Sequence, residues 1–167
     1  VCLGFAFAVE NKEPNIMVRP PRQPSAPIVP RAFVYRIVCV SAIMMAACFF
    51  MFNRALDSGE SMAVAQTTVV NVIVFIQIFY MFNCRSLLGT FWSMGVFTNK
   101  VFWIGIVSMI LLQMAFTYTS VFNTMFKTAP LPADRWIDII TIGFVSSVLV
   151  GVYKRFFEAK FERKSFL

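Results

Sequence analysis

Four long apolar runs alternate with short polar stretches along this chain. They cover about residues 32–52, 61–83, 101–122 and 136–153. Each is close to the ~20 residues that a helix needs to cross the hydrocarbon core of a bilayer, and the pattern predicts four transmembrane helices. Between the first two, Asn53, Arg54, Asp57, Ser58, Gly59 and Glu60 form a short polar turn. Residues 84–100 make a mixed connector with Arg85, Gly89, Gly95 and Lys100, expected to lie along the membrane interface. Asn123 to Arg135, with Pro130 and Pro132, reads as a loop.

The N-terminal stretches differ from one another. Val1 to Val9 is apolar but covers about half a crossing. It has no basic n-region and reads as the tail of a helix that begins outside this sequence, so the chain is expected to be a piece of a longer protein. Residues 10–30 contain all but two of the eight prolines. Proline removes a backbone donor and restrains the residue before it, so this stretch is an extended aqueous loop. The expected fold is all-α: a polytopic membrane helical bundle of four full transmembrane helices plus an N-terminal partial helix. Its segments are residues 1–9 (truncated helix), 10–30 (Pro-rich loop), 31–153 (bundle) and 154–167 (basic tail).

Charge adds an orientation. All the Lys and Arg except Arg54, Lys127 and Arg135 fall on one side if the Pro-rich loop, the 84–100 connector and the tail share it. The positive-inside bias makes that side cytoplasmic. Trp92, Trp103 and Trp136 all fall near helix ends, as interfacial anchors do. The tail mixes Phe156, Phe157, Phe161 and Phe166 with basic residues, and reads either as a stop-transfer anchor or as an amphipathic surface helix.

Composition agrees and excludes other classes. The chain is 59% hydrophobic and 14% charged, against about 25% charged in a typical soluble domain. The net charge of +7 sits on helix flanks, with no basic face interleaved with aromatics, so nucleic acid is not an expected partner. Cys2, Cys39, Cys48 and Cys84 form no CxxC pair, and the chain has no His. No zinc, haem, Ser-His-Asp or Cys-His arrangement can be built from it. Walker, GxSxG, HExxH and dinucleotide motifs are also absent, so the segment is not expected to be catalytic by itself and holds no cofactor of its own.

The polar residues inside apolar helices are then the informative ones, because an unpaired polar group in hydrocarbon costs several kcal/mol. The second helix holds Thr67, Thr68, Asn71 and Gln77. At 100° per residue, Thr67, Asn71 and Gln77 span an arc of about 120°, which should face protein or a water-filled path. These three are the candidate ion-path residues. Gln77 is the candidate metal ligand, since hard cations take oxygen; helix-to-helix hydrogen bonding is the competing reading. Gln113 reads as an interhelical contact and Asp138 as a residue of the wet interface. Gly143, Ser147 and Gly151 repeat every fourth residue, the small-xxx-small pattern of close helix approach.

Three segments carry a resemblance. EPNIMVRPPR (Glu13–Arg22) resembles the cytoplasmic loop after the sixth helix of P-type cation-transporting ATPases, which commonly reads E-P-D-I-M-x-R-P-P-R; Asn15 replaces the acid. FNCRSLLGTFWSMGVFTNKVFW resembles the junction of that family's eighth and ninth helices, and FNTMFKTAPLPADRW the loop before the tenth. The resemblance implies that the four full helices are the seventh to tenth of an ATP-driven pump. ATP and magnesium would then act in parts of the parent protein outside this chain. It aligns Gln77 with an eighth-helix position where calcium pumps can carry a site glutamate, keeping the oxygen and losing the charge. It also implies that Glu13, Pro14, Asn15, Met17, Arg19, Pro20, Pro21 and Arg22 form a loop coupling the membrane helices to the phosphorylation domain.

The leading reading is therefore the C-terminal membrane support domain of a cation pump, with calcium the first candidate ion. It would brace the ion-binding helices in contact with lipid and with the remaining helices and cytoplasmic domains of the parent. The alternative is a self-contained four-helix membrane channel or accessory subunit.

Overall fold

Apolar residues, broken only by short polar turns, leave the backbone one economical way to satisfy its own N–H and C=O groups in lipid, which is the helix. The computed structural model of the chain describes residues 31–84 and 99–153. These form helices α1 (Arg31–Asp57), α2 (Met62–Cys84), α3 (Lys100–Tyr118), α4 (Ser120–Phe126) and α5 (Ala133–Tyr153). All but the short α4 are long and apolar enough to span a membrane. The partial helix at 1–9, the Pro-rich loop, most of the 84–100 connector and the basic tail lie outside the described residues.

Helix ends follow local chemistry. α1 runs a turn further than its apolar run, through Asn53 to Asp57. Ala55 is fully buried there, and Arg54 sits in the last turn, where the helix dipole favours a cation. The helix closes in a Schellman motif. Glu60 N–H donates to Ala55 C=O (3.2 Å) and Gly59 N–H to Leu56 C=O (2.9 Å). Gly59 takes φ 78°, which a side chain would disfavour. Ser61 then caps α2, its Oγ accepting from Val64 N–H at 3.4 Å, and Asn99 caps α3, accepting from Phe102 N–H at 3.1 Å.

The third apolar run is where structure and pattern part. One helix was expected over 101–122, but Thr119 is extended, with φ −82° and ψ 125°. Its N–H still completes the last turn of α3 on Ala115 C=O, and α4 begins at the next residue. Thr119 is β-branched and follows Thr117, whose hydroxyl is engaged by α2; such residues are poorly held in a helix. The chain changes direction there, and Phe122 and Phe126 of α4 meet Phe116 of α3, with ring centroids 6.5 and 5.4 Å apart.

α2 is the centre of the bundle. One cluster packs Met51 of α1, Val72 and Ile76 of α2, Ile139 of α5 and Leu131 from the connection before α5. A second packs Val74, Ile78 and Met81 of α2 against Phe102 and Ile106 of α3. α5 runs parallel to α2 along a close seam. Phe75 meets Trp136 edge-on at 5.6 Å, Phe79 meets Phe144 at 6.2 Å, and Asn83 bonds Ser147. α1 and α3 run antiparallel to α2. The α1–α2 turn and the α3–α5 connection therefore share one end of the bundle, called here the turn end. The start of α1, the end of α2, the start of α3 and the end of α5 share the other.

Candidate functional site

The polar residues of α2 divide into two groups. Thr67 Oγ donates to Ala63 C=O (2.7 Å) and accepts from the Ala129 N–H (3.0 Å) in the connection before α5. Asn71 Nδ2 donates to Thr67 C=O (2.9 Å) and to Thr117 Oγ of α3 (3.1 Å). Thr67, Asn71 and Thr117 are all fully buried. Thr68 likewise turns its hydroxyl onto Val64 C=O at 2.8 Å. Thr67 and Asn71 are thus brought together, and what they make here is the hydrogen-bonded joint of α2, α3 and the α4–α5 connection.

Gln77 stands apart. It is exposed, although Ile76 and Ile78 on either side of it are buried. Gln66, also exposed, lies about three turns earlier and within about 20° of Gln77 around the helix. These two amides lie on a stripe of the central helix that the other described helices leave open. The helical arc that groups Thr67, Asn71 and Gln77 in sequence is covered at one edge and open at the other. Gln66 was missed because it flanks that arc near the start of the helix. The signal for it was its spacing from Gln77.

One turn from Thr117 on α3 lies Gln113, 6% exposed, whose Nε2 has no hydrogen-bond partner among the described residues. An unmatched buried donor carries a penalty of about 1–3 kcal/mol. Gln113→Leu is therefore expected to leave the fold intact and raise its stability by up to about that amount, read as a higher unfolding midpoint in detergent. A lowered midpoint would show that the amide has a partner after all.

At the turn end, four charges meet. Arg135 of α5, nearly fully buried, reaches Glu60 at 2.9 Å and Asp138 at 3.5 Å. Arg54 of α1 reaches the same Asp138 at 3.2 Å. Beside them Trp136 Nε1 donates to Tyr118 Oη (2.7 Å), which donates to Leu131 C=O (3.0 Å). Asp138 is at the bundle end, as expected, and it acts there as the shared acceptor that ties α1 to α5. Among the described residues no group of three His, Cys, Asp or Glu is placed to hold a metal ion. The proposed coupling residues Glu13, Pro14, Asn15, Met17, Arg19, Pro20, Pro21 and Arg22 lie outside the described residues.

The family model for the C-terminus of cation-transporting ATPases matches residues 1–156. The chain belongs to that family. It is similar to a probable cation-transporting ATPase F of Mycobacterium bovis, 34% identical over 90% of this chain and 17% of the relative. It also resembles the cation-transporting ATPase pma1 of Synechocystis, at 29% identity over 81% of this chain and 16% of the relative. Calcium-transporting ATPase 1 of Schizosaccharomyces pombe is 26% identical over 86% of this chain and 16% of its own length. The chain thus spans about a sixth of the length of these relatives. As the C-terminal membrane region of a P-type ATPase, it is an all-helical, multi-pass membrane segment, and the bundle is that of a cation-transporting ATPase C-terminus.

Proposed function

We propose that this bundle braces the ion-binding helices of an ATP-driven cation pump and offers Gln77 to the transported cation. The observation that carries the reading is the exposure of Gln77 on the open stripe of α2. A bare amide facing hydrocarbon is costly, so this stripe faces protein or water in the assembled pump. The missing helices of the parent supply that cover and the remaining oxygen ligands. Gln77 is neutral, so it contributes an oxygen without a charge, as suits a pump that moves fewer charges per cycle or a cation other than calcium. ATP and magnesium act in cytoplasmic domains outside this chain. The Pro-rich loop, with Arg19 and Arg22, carries movement of those domains to the membrane helices. The family membership and the E-P-N-I-M-V-R-P-P-R sequence of Glu13–Arg22 support that role. The basic flanks support a cytoplasmic location for the end of the bundle opposite the turn end.

The test is cation-dependent ATP hydrolysis by the full-length protein, scanned across cations. Gln77→Leu is expected to raise the cation concentration for half-maximal activity by about tenfold, the equivalent of about 1.4 kcal/mol. Gln77→Glu, which restores a carboxylate, is expected to keep or strengthen the response to divalent ions. An unchanged cation dependence in Gln77→Leu would remove Gln77 from the ion path.

A further inference from the structure

Helix α4 has no counterpart in the four-span pattern, and its side chains are sorted by chemistry. At 100° per residue, Val121, Phe122, Met125 and Phe126 fall within an arc of about 140°. Ser120, Asn123 and Thr124, with Lys127 as the C-cap, fall within about 100° on the opposite side. The two arcs do not overlap. One edge of the apolar arc is partly covered: Phe122 and Phe126 stack with one another at 6.4 Å and against Phe116 of α3, and keep 37% and 52% of their surface exposed. The other edge is open, with Val121 and Met125 each 67% exposed.

Three observations identify what covers that open edge. α4 starts one residue after a membrane-spanning helix ends, so it lies at the depth where the membrane gives way to water. That depth is marked independently by the hydrogen-bonded Tyr118 and Trp136, the residue types that settle at headgroup level. The span that precedes α4 is itself apolar and exposed at Leu111, Leu112 and Met114, as a lipid-facing helix is. A water-facing helix would not place Val121 and Met125 outward, and a spanning one would not carry Asn123, Thr124 and Lys127 on one side.

We infer that α4 is an interfacial helix lying in the headgroup layer at the turn end of the bundle, with a phospholipid surface against Val121 and Met125. Apolar side chains on such a helix enter the headgroup–acyl boundary by about 5–10 Å. Its polar arc faces water, and Lys127, exposed at the C-terminal end where the helix dipole favours a cation, lies level with lipid phosphates. The break at Thr119 then has a purpose: it turns the chain from a perpendicular path to one along the membrane plane.

Nitroxide labels test the placement in the full-length protein, reconstituted in phosphatidylcholine vesicles on a background without other cysteines. Labels are placed at Val121→Cys and Met125→Cys on the apolar arc and at Ser120→Cys and Thr124→Cys on the polar one. All four positions are exposed, so the substitutions leave the bundle intact. Collisions with oxygen, which concentrates in lipid, are compared with collisions with a water-soluble nickel chelate. The oxygen-to-nickel ratio is expected to be several-fold higher at 121 and 125 than at 120 and 124. Equal nickel access at all four sites would place α4 in water. Shielding of 121 and 125 from both reagents would place protein, from the same or a second copy, over that edge. Either result overturns the inference.

Discussion

Gly143→Leu is expected to prise α5 from α2 and to destabilise the bundle by about 2 kcal/mol. At Gly143 even a single Cβ would stand 2.8 Å from Cδ2 and 3.1 Å from Cε2 of Phe79, and 3.4 Å from the Phe75 carbonyl carbon. Phe79 can turn aside for a methyl group. The rest of a leucine would meet the α2 backbone, and overpacking of this kind costs about 1–3 kcal/mol. Moving α5 outward also strains the bonds one turn on. There Asn83 Nδ2 donates to Ser147 Oγ (2.7 Å) and Ser147 C=O (3.1 Å), and Ser147 Oγ donates to Phe79 C=O (3.2 Å). Interhelical bonds in membranes are worth about 0.6 kcal/mol each. Against these losses stands the better helix propensity of leucine, about 0.8 kcal/mol, so the net sign is set by packing. Gly151 is the internal control. Among the described residues a Cβ there meets only the Asn83 Oδ1 tip, at 3.3 Å, and Gly151→Ala is expected to be nearly neutral. Unfolding midpoints in detergent, compared across the two variants, would reject the argument if Gly151→Ala proved the more damaging.

This seam was legible in sequence because small residues at every fourth position have one physical use in a helix, which is close approach. The spans were legible for a similar reason: hydrocarbon demands apolar length, and all four spans expected from the apolar runs are there. Their ends were not legible, since hydropathy does not register what holds an end in place. α1 continues past Phe52 because Ala55 is buried and Gly59 can adopt a positive φ. α5 begins at Ala133 rather than near Trp136 because Arg135 and Asp138 are already paired in its first turns. Thr119 was invisible, as Val121 and Phe122 carry the apolar run straight across the break. The α2 polar residues show the same limit. A helical projection can put Thr67, Asn71 and Gln77 in one arc. Which part of the arc a neighbour covers depends on the register of α3 and on the connection through Ala129, both of them products of tertiary packing.

Replacing Arg135 is expected to be a highly damaging change among the described charged residues, at about 3–5 kcal/mol for Arg135→Leu. Arg135 is the buried member of the turn-end cluster. It holds Glu60 at 2.9 Å and Asp138 at 3.5 Å, and Glu60 already has one buried oxygen without a partner among the described residues. Without Arg135, Glu60 becomes a poorly solvated carboxylate with no cation beside it, and that residual charge is the larger part of the loss. Arg54 offers the contrast. Its side chain is 51% exposed, so its pairing with Asp138 is screened, and Arg54→Ala is expected to cost no more than about 1 kcal/mol. The pair Glu60→Leu and Arg135→Leu separates charge from shape. Removing both members leaves no orphaned carboxylate, so the double variant should recover much of the stability lost by Arg135→Leu alone, a positive coupling of at least about 1 kcal/mol in a double-mutant cycle. If the two substitutions simply added, Arg135 would act by filling space between α2 and α5, and the ion pair would have no part in locking the α1–α2 turn to α5.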